Sequence, residues 1–121
     1  VFTGAVPHQR VYNLISAMDI AMMADSNWYG SPVKIFEYGA LGKAVIAPNT
    51  EPVLDVMKNM QDGILCKNNI PDILSAMSQL QEDEMLRAQL AVAWQEKVLK
   101  YYNWRVVSQN IIEQIRMLKT T

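Results

Sequence analysis

The sequence predicts an α/β fold, in which helices flank a parallel sheet and the chain ends in a helical C-terminal tail. Short apolar runs alternate with helical patterns in the first half of the chain, which is typical of strands joined by helical crossovers. The run at residues 19–24 is apolar after its first residue, as expected of a parallel strand buried on both faces. From Ile70 onward the apolar residues have helical spacing. With 121 residues, 50% of them hydrophobic, the chain is large enough for one domain with its own core.

The individual elements follow from apolar spacing and from the residues that begin and end helices. Gly4 breaks a first strand at residues 1–3. Ser31 and Pro32 begin a helix that ends near Gly42, and Thr50 caps a short helix that reaches about residue 57. The remaining strands are predicted at 19–24, 44–47 and 63–66, with a loop at 25–30. The predicted apolar helix faces are Val11, Leu14, Ile15 and Met18; Ile73, Leu74, Met77 and Leu80; Leu86, Leu90, Ala93, Trp94, Val98 and Leu99; and, after an Asn103 cap, Val106, Val107, Ile111, Ile115 and Leu118.

Composition and charge exclude several classes of function. The net charge is −1, with 11 basic and 12 acidic residues intermixed. We therefore expect neither a nucleic-acid-binding groove nor a surface that binds an anionic membrane. The apolar runs fall far short of the ~20 residues that span a bilayer, and no signal-peptide pattern is present. The single cysteine, Cys66, cannot form an internal disulfide, which favours a reducing compartment such as the cytoplasm.

The segment from residue 29 to residue 47 carries the chemical information. Gly30 lets the backbone approach a ligand closely, Ser31 is a candidate N-cap, and Pro32 suits the first helical position. The amides of Val33 and Lys34 are then expected to point freely out of the helix end, where the helix dipole favours an anion such as a diphosphate. The alternative is an ordinary capped helix with nothing bound.

Glu37 follows Lys34 by three residues, so both side chains can share one helix face. A carboxylate can accept two hydrogen bonds from a vicinal diol, which suits Glu37 for reading a ribose. The alternative is a surface ion pair with Lys34 worth about 0.3 kcal/mol. Lys34 itself is interpreted equally well as a phosphate ligand or as a solvated side chain. The loop aromatics Trp28 and Tyr29 either line a sugar or acceptor cleft or pin the loop to the core.

Taken in order, these segments resemble a known family. The segments are Phe2-Thr3-Gly4-Ala5-Val6-Pro7-His8, Asp19-Ile20, Gly30-Ser31-Pro32-Val33-Lys34-Ile35-Phe36-Glu37-Tyr38, Gly42-Lys43-Ala44-Val45-Ile46-Ala47 and Asp62-Gly63-Ile64-Leu65. Their order and spacing resemble the C-terminal, donor-binding domain of retaining glycosyltransferases with the GT-B fold, of the glycogen-synthase and sucrose-synthase type. The resemblance covers nearly the whole chain and implies a partial Rossmann-like sheet, the second half of such a domain.

The resemblance also assigns roles to residues. It implies that Glu37 hydrogen-bonds the ribose hydroxyls and that Gly30, Ser31, Pro32, Val33 and Lys34 form the diphosphate end of the site. Val6 and Pro7 would flank the nucleotide base. The family carries a second glutamate eight positions before the first, at the donor sugar, and Tyr29 stands there instead. A tyrosine can hydrogen-bond at that position but offers no negative charge at neutral pH.

We expect the chain to be a piece of a longer enzyme. The family's donor domain begins with two further strand–helix units, preceded by an acceptor-binding domain, and the chain opens on Val1. Residues 1–121 are therefore interpreted as one partial domain, the nucleotide-sugar-binding half of a glycosyltransferase, inactive in isolation. The first strand would either close onto strand 19–24 or leave that strand as an open edge, and an open edge predicts that the isolated chain forms a homodimer or aggregates.

The resemblance implies a nucleoside diphosphate sugar as donor and a saccharide or lipid-linked acceptor held by the missing domain, in polysaccharide or lipopolysaccharide assembly. Peripheral membrane association of the parent protein fits such an acceptor. No cofactor and no metal site are expected, because the sequence has no Asp-x-Asp motif and no cysteine or histidine cluster. Two other interpretations stay open: a nucleotide-sugar epimerase on the same fold, and a non-catalytic nucleotide-binding or interaction module.

Overall fold

The computed structural model describes residues 2–27 and 29–119. Trp28 and Val1, to which the sequence assigns a loop and a strand position, lie outside these ranges. Within the described part of the chain, three strands and six helices follow one another. The elements are α1 (His8–Ser16), β1 (Ile20–Met22), α2 (Val33–Ala40), β2 (Ala44–Pro48), α3 (Glu51–Leu54), β3 (Ile64–Cys66), α4 (Ile70–Glu82), α5 (Glu84–Tyr101) and α6 (Trp104–Lys119).

The three strands form one parallel sheet in the order β1-β2-β3. Ile20 lies opposite Ala44 on one side of β2, and Ile46 lies opposite Ile64 on the other. All five residues of β2 are buried, as its unbroken apolar sequence predicts for a central parallel strand. The predicted α/β class and the parallel sheet are confirmed.

Two strand predictions at the N-terminal end are wrong. Residues 2–3 form no strand, and Phe2 is fully exposed. The strand predicted at 19–24 shortens to β1 and is not buried on both faces, because Ala21 is buried while Met22 is exposed. Within the described ranges, β1 pairs only with β2, so no strand there pairs with its outer edge. Of the two arrangements that the sequence allows, the open edge is the one observed.

Side chains alternate across β2 and divide the core into two layers. Val45 and Ala47 pack on one face against a group centred on Ile35 of α2 and Trp94 of α5. On the other face lies a second group, which joins β2 and β3 to α4 and α5 and consists of Ala44, Ile46, Ile64, Ala76, Leu80 and Leu90. Helices therefore cover both faces of the sheet, which is the layer architecture expected when βαβ units alternate.

The contact between α2 and α5 is unusually close. Trp94 is fully buried, and its indole N–H donates a 2.7 Å hydrogen bond to the carbonyl of Ile35. Gly39 makes this approach possible, since a Cβ at that position would lie 2.5 Å from Nε1 of Trp94. Helix α2 then ends with Gly42 at φ +68°, whose amide bonds to the carbonyl of Gly39, while the Lys43 amide bonds to that of Tyr38. This Schellman motif confirms the predicted stop near Gly42.

The C-terminal helices occur where the spacing predicts them, but two of their faces differ from expectation. In α4 the buried residues are Ala76 and Leu80, whereas Leu74 and Met77 of the predicted stripe are 61% and 43% exposed. Helix α4 packs on the sheet through the face that carries Ala76, because this small side chain allows α4 to approach β3 and α5 closely.

Helix α6 begins as predicted. The side chain of Asn103 accepts a 3.0 Å hydrogen bond from the Val106 amide, which is the geometry of an N-cap. None of the described residues of α6 is buried, and Trp104 is 88% exposed. The predicted apolar face exists, but within the described chain it faces solvent and does not join the core.

Candidate functional site

The turn that leads into α2 differs from the predicted cap. Pro32 has φ −80° and ψ 60°, and the Val33 amide donates a 2.9 Å hydrogen bond to the Ser31 carbonyl. These values describe an inverse γ-turn centred on Pro32, after which the helix starts at Val33. Pro32 therefore stands at the N-cap position, Ser31 lies one residue outside it, and no side chain caps the helix.

This turn changes which amides can meet a ligand. The Val33 amide, expected to be free, is already bonded to Ser31. Among the described residues, the Lys34 amide has no hydrogen-bond acceptor. One backbone donor of the predicted pair is thus available at the positive end of the α2 dipole.

A cleft of about 460 Å³ opens beside this turn. Residues 29–32 form one wall, and α3 with the residues that follow it forms the other. The described residues that line it are Tyr29, Gly30, Ser31, Pro32, Phe36, Glu51, Pro52, Asp55 and Val56. The first wall follows β1 and the second follows β2, so the cleft lies beyond the carboxyl ends of two parallel strands. Ligands of open α/β sheets bind at this edge.

A hydroxyl pair fixes the two walls relative to each other. Thr50 was expected to cap α3, but its side chain makes no capping bond. Its hydroxyl oxygen lies 2.7 Å from that of Ser26, in the loop between β1 and α2. The Asn49 amide also bonds to the Cys66 carbonyl at 2.9 Å, which ties the end of β2 to the end of β3. The loop after β1 is therefore connected to the end of β2, and the end of β2 to the end of β3.

Phe36 joins the cleft to a second, apolar cavity. That cavity has a volume of about 370 Å³ and is lined by Ser31, Val33, Phe36, Tyr102, Asn103, Trp104 and Val107. The Phe36 ring packs against Trp94 and Tyr102, with centroid distances of 5.7 and 5.0 Å. Because the ring is held by the core on one side, it forms a firm wall for both cavities.

The structure separates the predicted site residues into groups. Tyr29, Gly30, Ser31 and Pro32 lie together on the cleft wall. Val33, Lys34 and Glu37 lie on α2 outside the set that lines the cleft, and helical geometry turns Glu37 about 100° away from Phe36. Lys34 is exposed and Glu37 is half-buried. The ion pair considered for Lys34 and Glu37 is not formed; the ion pair present in the described part of the chain joins Lys97 and Asp62.

The environment of Tyr38, which follows Glu37 in the chain, changes the pKa of its phenol. Burial, and to a smaller extent the Glu37 carboxylate, raise the pKa of the Tyr38 phenol above its ordinary value. Tyr38 therefore stays neutral at physiological pH beside a carboxylate that is free of an ion-pair partner among the described residues.

The N-terminal candidates lie apart from the cleft. Val6 lines another cavity, of about 240 Å³, together with Thr3, Arg10, Asn13 and Leu14. Pro7 occupies the N-cap position of α1. Within the described chain, these residues are not brought to the cleft wall formed by residues 29–32.

Two cleft residues were missed or misread in the sequence. Neither Glu51 nor Asp55 is among the site residues that the sequence predicts. Their signal is a spacing of four residues directly after a predicted strand, which places both carboxylates on one side of a helical turn. The Asp55 amide bonds to the Glu51 carbonyl at 3.1 Å, in agreement with this spacing.

The described residues contain no group of three or more histidine, cysteine, aspartate or glutamate side chains placed to hold a metal ion. None of the helices in the described part of the chain is long and apolar enough to cross a bilayer.

Comparison with known proteins gives consistent matches. A family model described as glycosyl transferase-like matches residues 1–113. Over 91 residues, the chain is 36% identical to N,N'-diacetylbacillosaminyl-diphospho-undecaprenol alpha-1,3-N-acetylgalactosaminyltransferase of Campylobacter jejuni. That alignment covers 74% of this chain and 22% of the relative, so the chain spans about a fifth of the relative's length.

Solved structures share the fold at low sequence identity. Sucrose-phosphate synthase from Thermosynechococcus elongatus superposes with a TM-score of 0.83 at 19% identity, over 99% of this chain and 30% of that protein. Anabaena HepE in complex with UDP gives 0.79 at 18% identity, over 86% and 29%. The C-terminal domain of the glycosyl transferase group 1 protein LpcC from Francisella tularensis gives 0.74 at 21% identity, over 83% and 51%. These likenesses establish a shared GT-B fold.

Proposed function

The chain belongs to the glycosyl transferase-like family, and from that premise we propose that it is the nucleotide-sugar-binding part of a retaining glycosyltransferase. The parent protein would transfer a glycosyl group from a nucleoside diphosphate sugar to a saccharide or lipid-linked acceptor. Residues 1–121 form one partial domain of that enzyme in this proposal, and the isolated chain is inactive because the acceptor is held elsewhere.

The observation that carries the proposal is the start of α2 at the carboxyl edge of the sheet. There the Lys34 amide is unbonded among the described residues, the Lys34 side chain is exposed, and the positive end of the helix dipole adds to both. Glu37 lies one turn further along and shares the outer face of α2 with Lys34. Lys34 offers hydrogen-bond donors for a phosphate, and Glu37 offers acceptors for a diol. Their order along α2 matches the order of diphosphate and ribose in the ligand.

The remaining predicted residues complete the proposed donor site. Tyr29 faces the glycosyl group, and Gly30, Ser31 and Pro32 shape the backbone between sugar and diphosphate. Val6 and Pro7 flank the base, with their loop supported by the part of the domain that this chain does not contain. A UDP donor is favoured because one structural neighbour, Anabaena HepE, was solved in complex with UDP.

The acceptor side of the proposal comes from the relative. The Campylobacter jejuni enzyme is named for a diphospho-undecaprenol acceptor, which supports a lipid-linked acceptor and peripheral membrane association of the parent protein, on the cytoplasmic side. The open edge of β1 further supports a homodimer of the isolated chain. Light scattering tests the homodimer directly, and a monodisperse monomer contradicts it.

A binding titration tests the donor proposal. We expect UDP, titrated into the labelled 121-residue chain, to shift backbone amide signals near Ser31, Lys34 and Glu37. Glu37→Gln should weaken UDP binding about 10-fold, because a charge-assisted pair of hydrogen bonds becomes neutral. Glu113→Gln on exposed α6 is the matched control and should leave the affinity unchanged.

Two outcomes argue against the donor proposal. Unchanged UDP affinity in Glu37→Gln removes the assigned ribose contact. Amide shifts that avoid the start of α2 would favour the non-catalytic module instead, for which the absence of a carboxylate at Tyr29 is the supporting observation. GDP and ADP in the same titration identify the preferred base.

A further inference from the structure

We propose that Glu51 and Asp55 hold a neutral, hydroxyl-rich sugar ring in the cleft between residues 29–32 and α3. This inference rests on the proposed function, since it assigns one part of a glycosyl-transfer ligand to one part of the site. It adds two sugar-binding residues that lie more than a dozen residues downstream of the motif at the start of α2.

The shape of the cleft supports a small ligand. Its volume of about 460 Å³ falls in the range of small-molecule sites, and its two walls come from separate segments tied by the Ser26–Thr50 hydroxyl pair. Glu51 and Asp55 are both exposed and stand one helical turn apart, so their carboxylates lie on the same wall. Tyr29, which is 72% exposed, faces them from the other wall.

The charge of the cleft selects the chemistry of the ligand. The charged side chains among its described lining residues are the carboxylates of Glu51 and Asp55, and no lysine, arginine or histidine is in that set. Two carboxylates repel a diphosphate, so this cleft is a poor place for the anionic part of a nucleotide. They accept hydrogen bonds from hydroxyl groups strongly, because the acceptor is charged. A neutral polyol is therefore the part of the ligand that fits.

The other lining residues agree with a sugar ring. Phe36, Pro52 and Val56 contribute apolar surface, while Tyr29 and Ser31 contribute polar groups. Sugars present both kinds of surface, with hydroxyls around the ring edge and C–H groups on its faces. A cation is a weaker fit, because the described residues provide no third acidic or histidine ligand.

The two parts of the ligand would then lie on different sides of the start of α2. The phosphate meets Lys34 on the outer face of the helix, and the sugar passes Ser31 into the cleft, where like charges no longer oppose each other. The ring could belong to the donor or to an acceptor saccharide, since both present the same hydroxyl chemistry. Separate arms of one experiment distinguish the two sources.

The test compares wild type with the double variant Glu51→Gln and Asp55→Asn, which keeps side-chain shape and removes both charges. Glu113→Gln combined with Glu82→Gln is the matched control, because it removes two exposed carboxylates away from the cleft. The probes are UDP, UDP-glucose, UDP-N-acetylglucosamine and methyl glucoside, titrated against the labelled 121-residue chain by NMR.

A donor sugar in the cleft predicts that the double variant binds UDP-sugars about 10-fold more weakly while UDP affinity stays within twofold. An acceptor sugar predicts that methyl glucoside shifts the amide signals of residues 29–31, 51 and 53–56 in wild type and not in the variant. Identical behaviour of wild type and variant toward all four probes overturns the inference. So does UDP binding that tightens 10-fold when the carboxylates are removed, because the diphosphate would then occupy the cleft.

These outcomes remain distinct from failure of the donor proposal. If UDP binds at the start of α2 and depends on Glu37, but the cleft variant changes nothing, the donor proposal stands and the sugar assignment is wrong. If UDP does not bind, the donor proposal fails, and the methyl glucoside arm still decides whether the cleft takes a sugar.

Discussion

Replacing Gly39 by alanine should destabilise the protein far more than a typical glycine substitution in a helix. A Cβ at this position would lie 2.5 and 2.6 Å from Nε1 and Cδ1 of Trp94, and 2.8 Å from Cγ2 of Val98. Both neighbours are buried core residues, so neither can turn into solvent. Accommodation requires the indole to shift, which also strains its hydrogen bond to Ile35.

The size of the effect follows from three contributions. Overpacking of a dense core costs about 1–3 kcal/mol, and disturbing the buried indole–carbonyl bond costs about 1–3 kcal/mol more. The better helix propensity of alanine offsets about 1 kcal/mol. We expect a net loss of about 3 kcal/mol in the free energy of unfolding, a large fraction of the ~5–15 kcal/mol typical of a domain.

Urea denaturation followed by far-ultraviolet circular dichroism measures this loss. With a slope of about 2 kcal/mol/M, the midpoint of the Gly39→Ala variant should fall by about 1.5 M. Gly30→Ala is the control, because the nearest atoms to its Cβ lie 3.7 and 3.8 Å away. The free energy of unfolding of the Gly30→Ala variant should change by no more than about 0.5 kcal/mol.

A double-mutant cycle keeps the reasoning testable if the single variant folds poorly. Trp94→Phe removes the indole Nε1, which is the nearest of the clashing atoms, so Gly39→Ala should cost less in the Trp94→Phe background than in wild type. Equal costs in both backgrounds, or a Gly39→Ala midpoint matching wild type, would show that the close approach of α2 and α5 does not limit position 39.

Three further results are expected. Asp62→Ala should lower the free energy of unfolding by about 1.5–3 kcal/mol, because this carboxylate, with 11% of its side chain exposed, accepts a 2.7 Å bond from Lys97; urea midpoints check this, and an unchanged midpoint contradicts it. Gly42→Ala should cost about 1–2 kcal/mol, since the residue has φ +68°; Gly42→Asn should cost less, and equal losses in both would argue against backbone strain. Burial, and secondarily the charge of Asp72, raise the pKa of the Cys66 thiol, so less thiolate is present at a given pH and iodoacetamide should alkylate the folded chain more slowly than the urea-unfolded chain; equal rates would refute this.

Sequence patterns correctly predict the elements whose local residue chemistry is compatible with a single secondary structure and environment. The β2 strand is apolar at all its positions and is flanked by Gly42 and Asn49, so a central buried strand is the natural solution. Asn103 precedes a long amphipathic segment, and its side chain performs the capping that this residue type favours. In such cases local chemistry and tertiary structure agree.

Other features depend on partners that periodicity does not identify. The stripe through Leu74 and Met77 has correct helical spacing, yet the adjacent face with Ala76 packs on the sheet because a small residue permits closer approach. The start of α2 shifts because Pro32 adopts a γ-turn geometry that its fixed φ permits but does not require. Glu51 and Ser31 line the same cleft because β1 and β2 are parallel neighbours, which brings residues twenty apart to one edge of the sheet.

The two described tryptophans experience opposite surroundings. Trp94 is sealed in the core and bonded to a carbonyl, whereas the indole of Trp104 stands in solvent at the start of α6. Indole emission moves to longer wavelength when water surrounds the ring, and dissolved iodide quenches only rings that it can reach. Trp94 should therefore contribute a shielded short-wavelength component to the emission, and Trp104 a quenchable long-wavelength one. Intrinsic tryptophan fluorescence can therefore report separately on the core around Trp94 and on the surface around Trp104, without an attached label.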